Sequence, residues 1–191
     1  GMVIIDAGSG IRELGLDIAR RHDRVHDYHI LITHYHYDHI QGLPFFEPML
    51  RKENKVTFYS PVERLERYIR EQVRAPYFPV EMDAFPARLE FKVLKDRQFD
   101  LSGMAVAWRR MKHPGDAFSY RFSSGGRNVI FATDSEITET EFRDSPENRA
   151  WFEGVDLLML DSQYTLQESL NKMEWGHTSY SLAVDLAARW K

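Results

Sequence analysis

The sequence predicts a layered α/β or α+β domain, on three observations. Short β-branched or aromatic runs alternate with amphipathic helical stretches, turn residues bound each run, and no internal repeat or low-complexity segment interrupts the pattern. Strands are expected over 2–6, 29–33, 55–59, 89–94, 104–112, 118–123, 128–133 and 155–161, and several of them end in a polar residue able to serve a site. The clearest helix signal is Ser60-Pro61-Val62-Glu63, with Ser60 as cap, Pro61 in the first position and Glu63 reaching back. Val62, Leu65, Ile69 and Val73 then form an apolar stripe that stops before Ala75-Pro76. Further helices are expected after Gly10, after Ser145-Pro146, and over 179–190, where Leu182, Ala183, Leu186, Ala187 and Trp190 share a face. The stretch 75–86, APYFPVEMDAFP, has no period; it reads as a well-packed loop, with a lid over a site as the competing reading.

Composition narrows the chemistry. At 191 residues, 43% hydrophobic and 13% aromatic, the chain can build the core of a single domain, which excludes disorder. Lys and Arg total 25 against 29 Asp and Glu, a net charge of −4 with no long block of either sign, so a large nucleic acid is not an expected partner. Cysteine is absent, which excludes disulfides, thiolate metal sites and a Cys nucleophile; any metal must be held by His and carboxylate. No run of about 20 apolar residues is present, so no membrane partner is expected. The opening GMVIIDAGSG lacks a basic and apolar leader, and the expected location is cytoplasmic.

The most informative segment is Thr33-His34-Tyr35-His36-Tyr37-Asp38-His39, directly after the apolar run Ile30-Leu31-Ile32. A strand ending in a tight loop can turn His34 and His36 to one side and Asp38 and His39 to another, enough for two adjacent metal ions. A His-rich surface loop is the bland alternative, and the regular spacing argues against it. His22, His26 and His29 lie in the polar stretch RRHDRVHDYH and read as a solvated helix end and loop. His177 stands in Trp175-Gly176-His177-Thr178-Ser179 immediately before the last helix, where Thr178 and Ser179 can cap and free N–H groups attract an anion.

The His-x-His-x-Asp-His segment resembles the hallmark loop of the metallo-β-lactamase superfamily, and the resemblance extends over 3–190. It implies an αββα sandwich with a dinuclear metal site at one edge. It further implies that His34, His36 and His113 hold one metal, that Asp38 and His39 hold the second, and that Asp134 bridges both. The segment around His177 is similar to that of the phosphodiesterase branch, which includes the tRNA-processing ribonuclease RNase Z. By that likeness His177, Thr178 and Ser179 bind substrate, while His177, Asp161 and Asp38 are the catalytic set, with Asp161 orienting His177.

The sequence also departs from the family pattern. The usual last His ligand, on a strand after the final helix, has no counterpart before Lys191, and no strands precede the one containing Val3-Ile4-Ile5-Asp6. The expectation is one domain over 1–191 that is trimmed at both ends, with a weak or empty second metal site and a homodimer formed through open sheet edges. The expected cofactors are two divalent ions, Zn, Mn or Fe, which His and carboxylate suit alike. The expected activity is metal-dependent hydrolysis of a small phosphodiester of nucleotide or cyclic-nucleotide type. The alternatives are hydrolysis of a thioester, lactone or other carbonyl ester, or a catalytically impaired metal-binding fragment.

Overall fold

A computed structural model describes residues 1–21 and 25–191. These form two compact units, Gly1–Lys95 and Asp96–Lys191, each built on its own sheet. Two sheets with helices is the mixed α/β class that the strand and helix alternation predicts.

The first unit runs β1 (Met2–Ile5), α1 (Gly10–Arg21), β2 (Asp27–Leu31), α2 (Tyr37–Ile40), β3 (Lys55–Ser60), α3 (Leu65–Gln72) and β4 (Arg88–Val93). Its strands pair in the order β1-β2-β3-β4, all parallel. Parallel neighbours cannot be joined by a tight turn, so α1, the segment 32–54 and α3 supply the crossovers. Ile4, Ile30, Ile32, Val56 and Phe58 face Ile11 and Ile18 of α1, Leu65 and Ile69 of α3, and Leu43, Phe46 and Met49 from short 3₁₀ turns. Because all four strands run the same way, their carboxyl ends share one edge, the usual place for a site in such a sheet. Asp6, Thr33 and His34 leave the sheet at that edge.

The second unit runs β5 (Gln98–Leu101), β6 (Met104–Met111), β7 (Ala117–Ser124), β8 (Arg127–Ala132), α4 (Glu139–Phe142), α5 (Pro146–Phe152), β9 (Leu157–Leu160), α6 (Leu166–Asn171) and α7 (Tyr180–Arg189). Strands β5 to β8 are antiparallel neighbours, and β9 joins β8 in parallel. Strands β6, β8 and β9 therefore point the same way and bring His113, Asp134 and Asp161 toward one edge. Two-residue turns set the register: Ser102-Gly103 and Gly125-Gly126 all have positive φ, the backbone that matches the strand twist. Met111, Ile130 and Ala132 pack with Trp151 and Phe152 of α5 and with Leu186 and Trp190 at the end of α7.

The structure differs from the sequence reading in places. Helix α3 begins at Leu65, not after Ser60, because Ser60 Oγ accepts the Val62 N–H at 3.3 Å and closes a turn there. Leu65, Ile69 and Val73 are nevertheless fully buried. Helix α2 was not expected within the tight loop read for the histidine motif, and neither were strand β5 and helices α4 and α6; each is at most six residues, too short to show a period. Helices α4 and α6 do carry capping boxes, Thr138 with Glu141 and Thr165 with Glu168. Their Thr-x-x-Glu spacing is the signal that could have found them. His29 is not solvated: β2 starts at Asp27, which places His29 on a central strand, buried with Nδ1 3.0 Å from the Tyr59 hydroxyl. Burial pulls its pKa down, against Asp27, which raises it. His22 lies outside the described residues. The 75–86 stretch is a loop with a 3₁₀ turn, Met82–Ala84, in which Met82 and Phe85 enter the first unit's core.

Two glycines allow the chain after β1 to lie against α2. A Cβ on Gly42 would stand 2.0 Å from the Gly8 carbonyl oxygen, and one on Gly8 would stand 2.3 Å from the Asp38 carbonyl oxygen. Backbone cannot retreat as a side-chain tip can. Gly42→Ala is expected to cost about 2–3 kcal/mol and lower Tm by about 4–12 °C, as read from thermal unfolding; an unchanged Tm would show that this contact is loose.

Candidate metal centre

In the first unit the motif straddles the end of β2 and the start of α2. His34 and His36 precede the helix, with His36 extended at its N-cap, while Asp38 and His39 occupy the helix itself. The His34 ring lies 4.5 Å from that of His36 and 4.1 Å from that of His39, centroid to centroid. His39 Nε2 is 3.5 Å from Asp38 Oδ2. Three imidazoles and a carboxylate thus converge within one loop and one helical turn.

Asp6 organises this cluster. It follows β1 with φ of 61°, a left-handed backbone that Asp tolerates better than most residues. Its Oδ1 accepts the Thr33 N–H at 2.7 Å, and its Oδ2 accepts the Thr33 hydroxyl at 2.7 Å and the His39 Nδ1–H at 2.8 Å. Thr33 Oγ1 has one proton and gives it to Asp6. Toward His34 Nδ1, 3.1 Å away, it therefore acts as acceptor. Both Nδ1 atoms then carry hydrogen, which leaves Nε2 as the lone-pair nitrogen of His34 and of His39. A histidine tautomer set by a carboxylate or hydroxyl in this way is the arrangement metal ligands use. Asp6 itself was overlooked as a site residue in the sequence; an Asp ending a short strand ahead of a glycine turn was the available signal. Burial pushes the Tyr35 phenol of the same loop well above its ordinary pKa, with Tyr68 and Asp6 adding to the effect and a Ser60 hydrogen bond opposing it.

In the second unit, His113 Nδ1–H donates to the Gly176 carbonyl at 2.8 Å, so its Nε2 is the lone-pair nitrogen, and that atom lies 3.8 Å from Asp134 Oδ2. Gly176 has φ of 84°, and a Cβ there would stand 2.3 Å from His113 Nδ1, so only glycine allows this contact. Asp134 is also left-handed, φ 47°. The bend is held by the next residue: Ser135 N–H donates to Asp161 Oδ2 at 3.0 Å and Ser135 Oγ–H to the Ala132 carbonyl at 3.0 Å. Asp161 Oδ2 also accepts His177 Nδ1–H at 2.7 Å, and Oδ1 accepts the Gln163 N–H at 3.1 Å. Asp134, Asp161 and His177 each offer a ligand atom within 4.8 Å of the others.

The residues beside His177 serve the backbone. Thr178 is buried; its hydroxyl donates to the Ser135 carbonyl and accepts the Ile137 N–H at 2.9 Å. Ser179 caps α7 through the Leu182 N–H at 3.4 Å. Three basic residues on β6 and just after it have close polar partners, each including an acid. Arg109 meets Asn148 at 2.7 Å and Glu141 at 3.3 Å, Lys112 meets Glu136 at 2.5 Å, and Arg110 pairs with Asp116.

Histidine nitrogens and carboxylate oxygens presented at strand ends define a protein of the His/Asp metal-binding type. The chain belongs to the metallo-β-lactamase superfamily: the beta-lactamase superfamily domain family matches residues 2–191. Among solved structures, it is similar to a diphosphatase from the PhnP family (20% identity, TM-score 0.67, 98% of this chain and 64% of that one). It is also similar to human tRNase Z, short form (17%, 0.68, 98% and 77%), and to the metallo-beta-lactamase fold protein YhfI from Bacillus subtilis (15%, 0.69, 98% and 69%). At these identities the likeness is one of fold. The chain spans 64% of the length of the PhnP-family diphosphatase. No curated protein sequence matches it. Among the described residues no helix is long and apolar enough to cross a membrane.

Asp6→Asn keeps the size of the side chain and removes the charge that holds His39. It is expected to lower affinity for a divalent metal about 10–100-fold in chelator competition. An unchanged affinity would remove Asp6 from the centre.

Proposed function

We propose that this chain is a metal-dependent hydrolase that activates water against a phosphodiester of nucleotide or cyclic-nucleotide size. In this reading His34, His36 and His113 hold one divalent ion, Asp38 and His39 hold a second, and Asp134 is shared. The donor set fits such ions: it is all nitrogen and oxygen, and His34, His39 and His113 each have the Nδ1 proton turned to an acceptor, with Nε2 left for coordination. Bound divalent ions supply a water whose pKa falls to about 7 and charge to oppose the developing anion.

The observation that carries the choice of bond is the Asp161–His177 pair. Asp161 holds His177 by Nδ1 at 2.7 Å and fixes the ring. With the ring in its imidazolium form, Nδ1–H stays on Asp161 and Nε2–H meets a leaving oxygen and gives up its proton to it, which leaves the neutral ring held by Asp161. Thr178 and Ser179 act by anchoring the segment that presents this ring, since both hydroxyls are engaged with the backbone. Substrate scale follows from charge. With a net charge of −4, and with Arg109, Arg110 and Lys112 matched to acids beside Arg121, a small substrate is favoured over a long nucleic acid. The fold shared with a PhnP-family diphosphatase and a tRNase Z supports phosphorus chemistry.

Metal content per chain and hydrolysis of bis(p-nitrophenyl) phosphate, with and without added Mn or Zn, test the reading together. Metal-dependent turnover is the expected result, and turnover of a thioester alone would replace phosphodiester by carbonyl chemistry. His177→Ala is expected to lower kcat about 10²–10⁴-fold while metal content holds; loss of metal in that variant would make His177 a ligand instead. Asp134→Ala is expected to cost more activity than His39→Ala, because it serves both ions, and equal losses at equal metal content would contradict the shared role.

A further inference from the structure

Beside the histidine motif, the first unit carries a groove of about 540 Å³ that the hydrolytic residues do not account for. Its lining includes four tyrosines, Tyr35, Tyr37, Tyr68 and Tyr77, together with Ile40. Glu71 and Gln72 of α3 complete it. Tyr35 and Tyr37 alternate with His34, His36 and Asp38 along one stretch of chain, so the groove and the metal-binding motif share their backbone. The Tyr35 and Tyr68 rings meet edge to face, 4.9 Å apart, and hold the inner part of the groove. Tyr37 and Tyr77 are 66% and 76% exposed. Single exposed aromatics are ordinary on a protein surface, but here two line one cavity with two further tyrosines, which makes a contiguous aromatic lining.

The chemistry of the lining selects an occupant. The groove has no Lys, Arg or His, and Glu71 is a carboxylate already bound to Arg67 at 2.8 Å, so a phosphate or an acidic chain is disfavoured. Gln72 Nε2 has no hydrogen-bond acceptor among the described residues and is closed to solvent, so an occupant meets it as the amide turns toward the groove. An aliphatic occupant would leave that donor unsatisfied, whereas a flat heteroaromatic ring offers both a stacking face and an acceptor on its edge. The volume lies within the range of about 300–1,000 Å³ typical of small-molecule sites.

We propose that this groove is the base subsite of the enzyme: it takes the nucleobase of a nucleotide phosphodiester, stacked on Tyr37 and Tyr77 and hydrogen-bonded to Gln72. This rests on the hydrolase reading for its place in the reaction, but base binding itself needs no metal. The test is therefore calorimetric titration of the metal-free chain with adenosine and, separately, with ribose 5-phosphate. Adenosine is expected to bind and ribose 5-phosphate is not. Tyr77→Ala and Gln72→Leu are each expected to weaken adenosine binding about tenfold or more. Tyr180→Ala, an exposed tyrosine on α7, is expected to leave it unchanged. Melting curves for each variant establish that it is folded, which the exposure of Tyr77 favours. No adenosine binding, equal binding of ribose 5-phosphate, or Tyr77→Ala and Gln72→Leu binding like the Tyr180→Ala control would overturn the proposal. Adenosine binding with the expected variant pattern, together with no phosphodiester hydrolysis by the same protein after loading with Mn or Zn, would refute the hydrolase reading and leave the base subsite standing.

Discussion

The carboxylate of Asp6 ties the end of β1 to the end of β2 and to α2 through three hydrogen bonds of 2.7 to 2.8 Å. Without it, the loop after β2 would be a run of polar residues at an exposed sheet edge, with no reason to keep one histidine tautomer or one ring orientation. With it, the backbone of Thr33, the hydroxyl that orients His34 and the ring of His39 answer to the same two oxygens. The left-handed backbone at Asp6 is a strained conformation that costs about 1–3 kcal/mol. The hydrogen bonds it accepts, together with the Ala7 N–H to His39 carbonyl bond at 2.7 Å and the Gly42 N–H to Ala7 carbonyl bond at 2.8 Å, offset that cost.

The second unit solves the same problem with different parts. Asp134 is again left-handed, and again an aspartate at a parallel strand end holds the bend, here Asp161 through the Ser135 N–H. Asp161 has a second duty in the His177 ring. One carboxylate therefore positions both a metal-ligand candidate and a proton-donor candidate, which couples the two roles physically. His113 is held differently, by a backbone carbonyl that only a glycine at 176 can bring so close.

Electrostatics sets the scale of what such a centre can take. The strand β6 basic residues pair with acids in their own unit, and burial pulls the Arg109 guanidinium below its ordinary value although Glu141 pulls the other way. Cations matched in this way displace fewer counterions from a polyanion, which is one ground for the small substrate proposed above. The region nearest the histidine motif is instead aromatic, which suits a small ligand with a flat face.

Much of this was legible in the amino-acid order. Short β-branched or aromatic runs bounded by turn residues placed eight of the nine strands seen among the described residues to within two residues at either end, and amphipathic stretches placed the helices at α1, α5 and α7. The His-x-His-x-Asp-His run, His113 and Asp134 stood out because metal ligation needs particular residue types at strand ends. Periodicity carried no mark for β5, α2, α4 or α6, which are too short to repeat, although capping boxes open α4 and α6, nor for the late start of α3, where Ser60 closes a turn in place of a helix. Nor could it show that Asp6, lying 33 residues from His39, sets that ring's tautomer, or that Tyr77 and Tyr37 line one groove. Those are contacts between residues distant in the chain. The sequence by itself determined which residues could bind a metal; tertiary structure decided which nitrogen the His34, His39 and His113 rings present, because hydrogen bonds to Thr33 as Asp6 orients it, to Asp6 and to the Gly176 carbonyl make that choice.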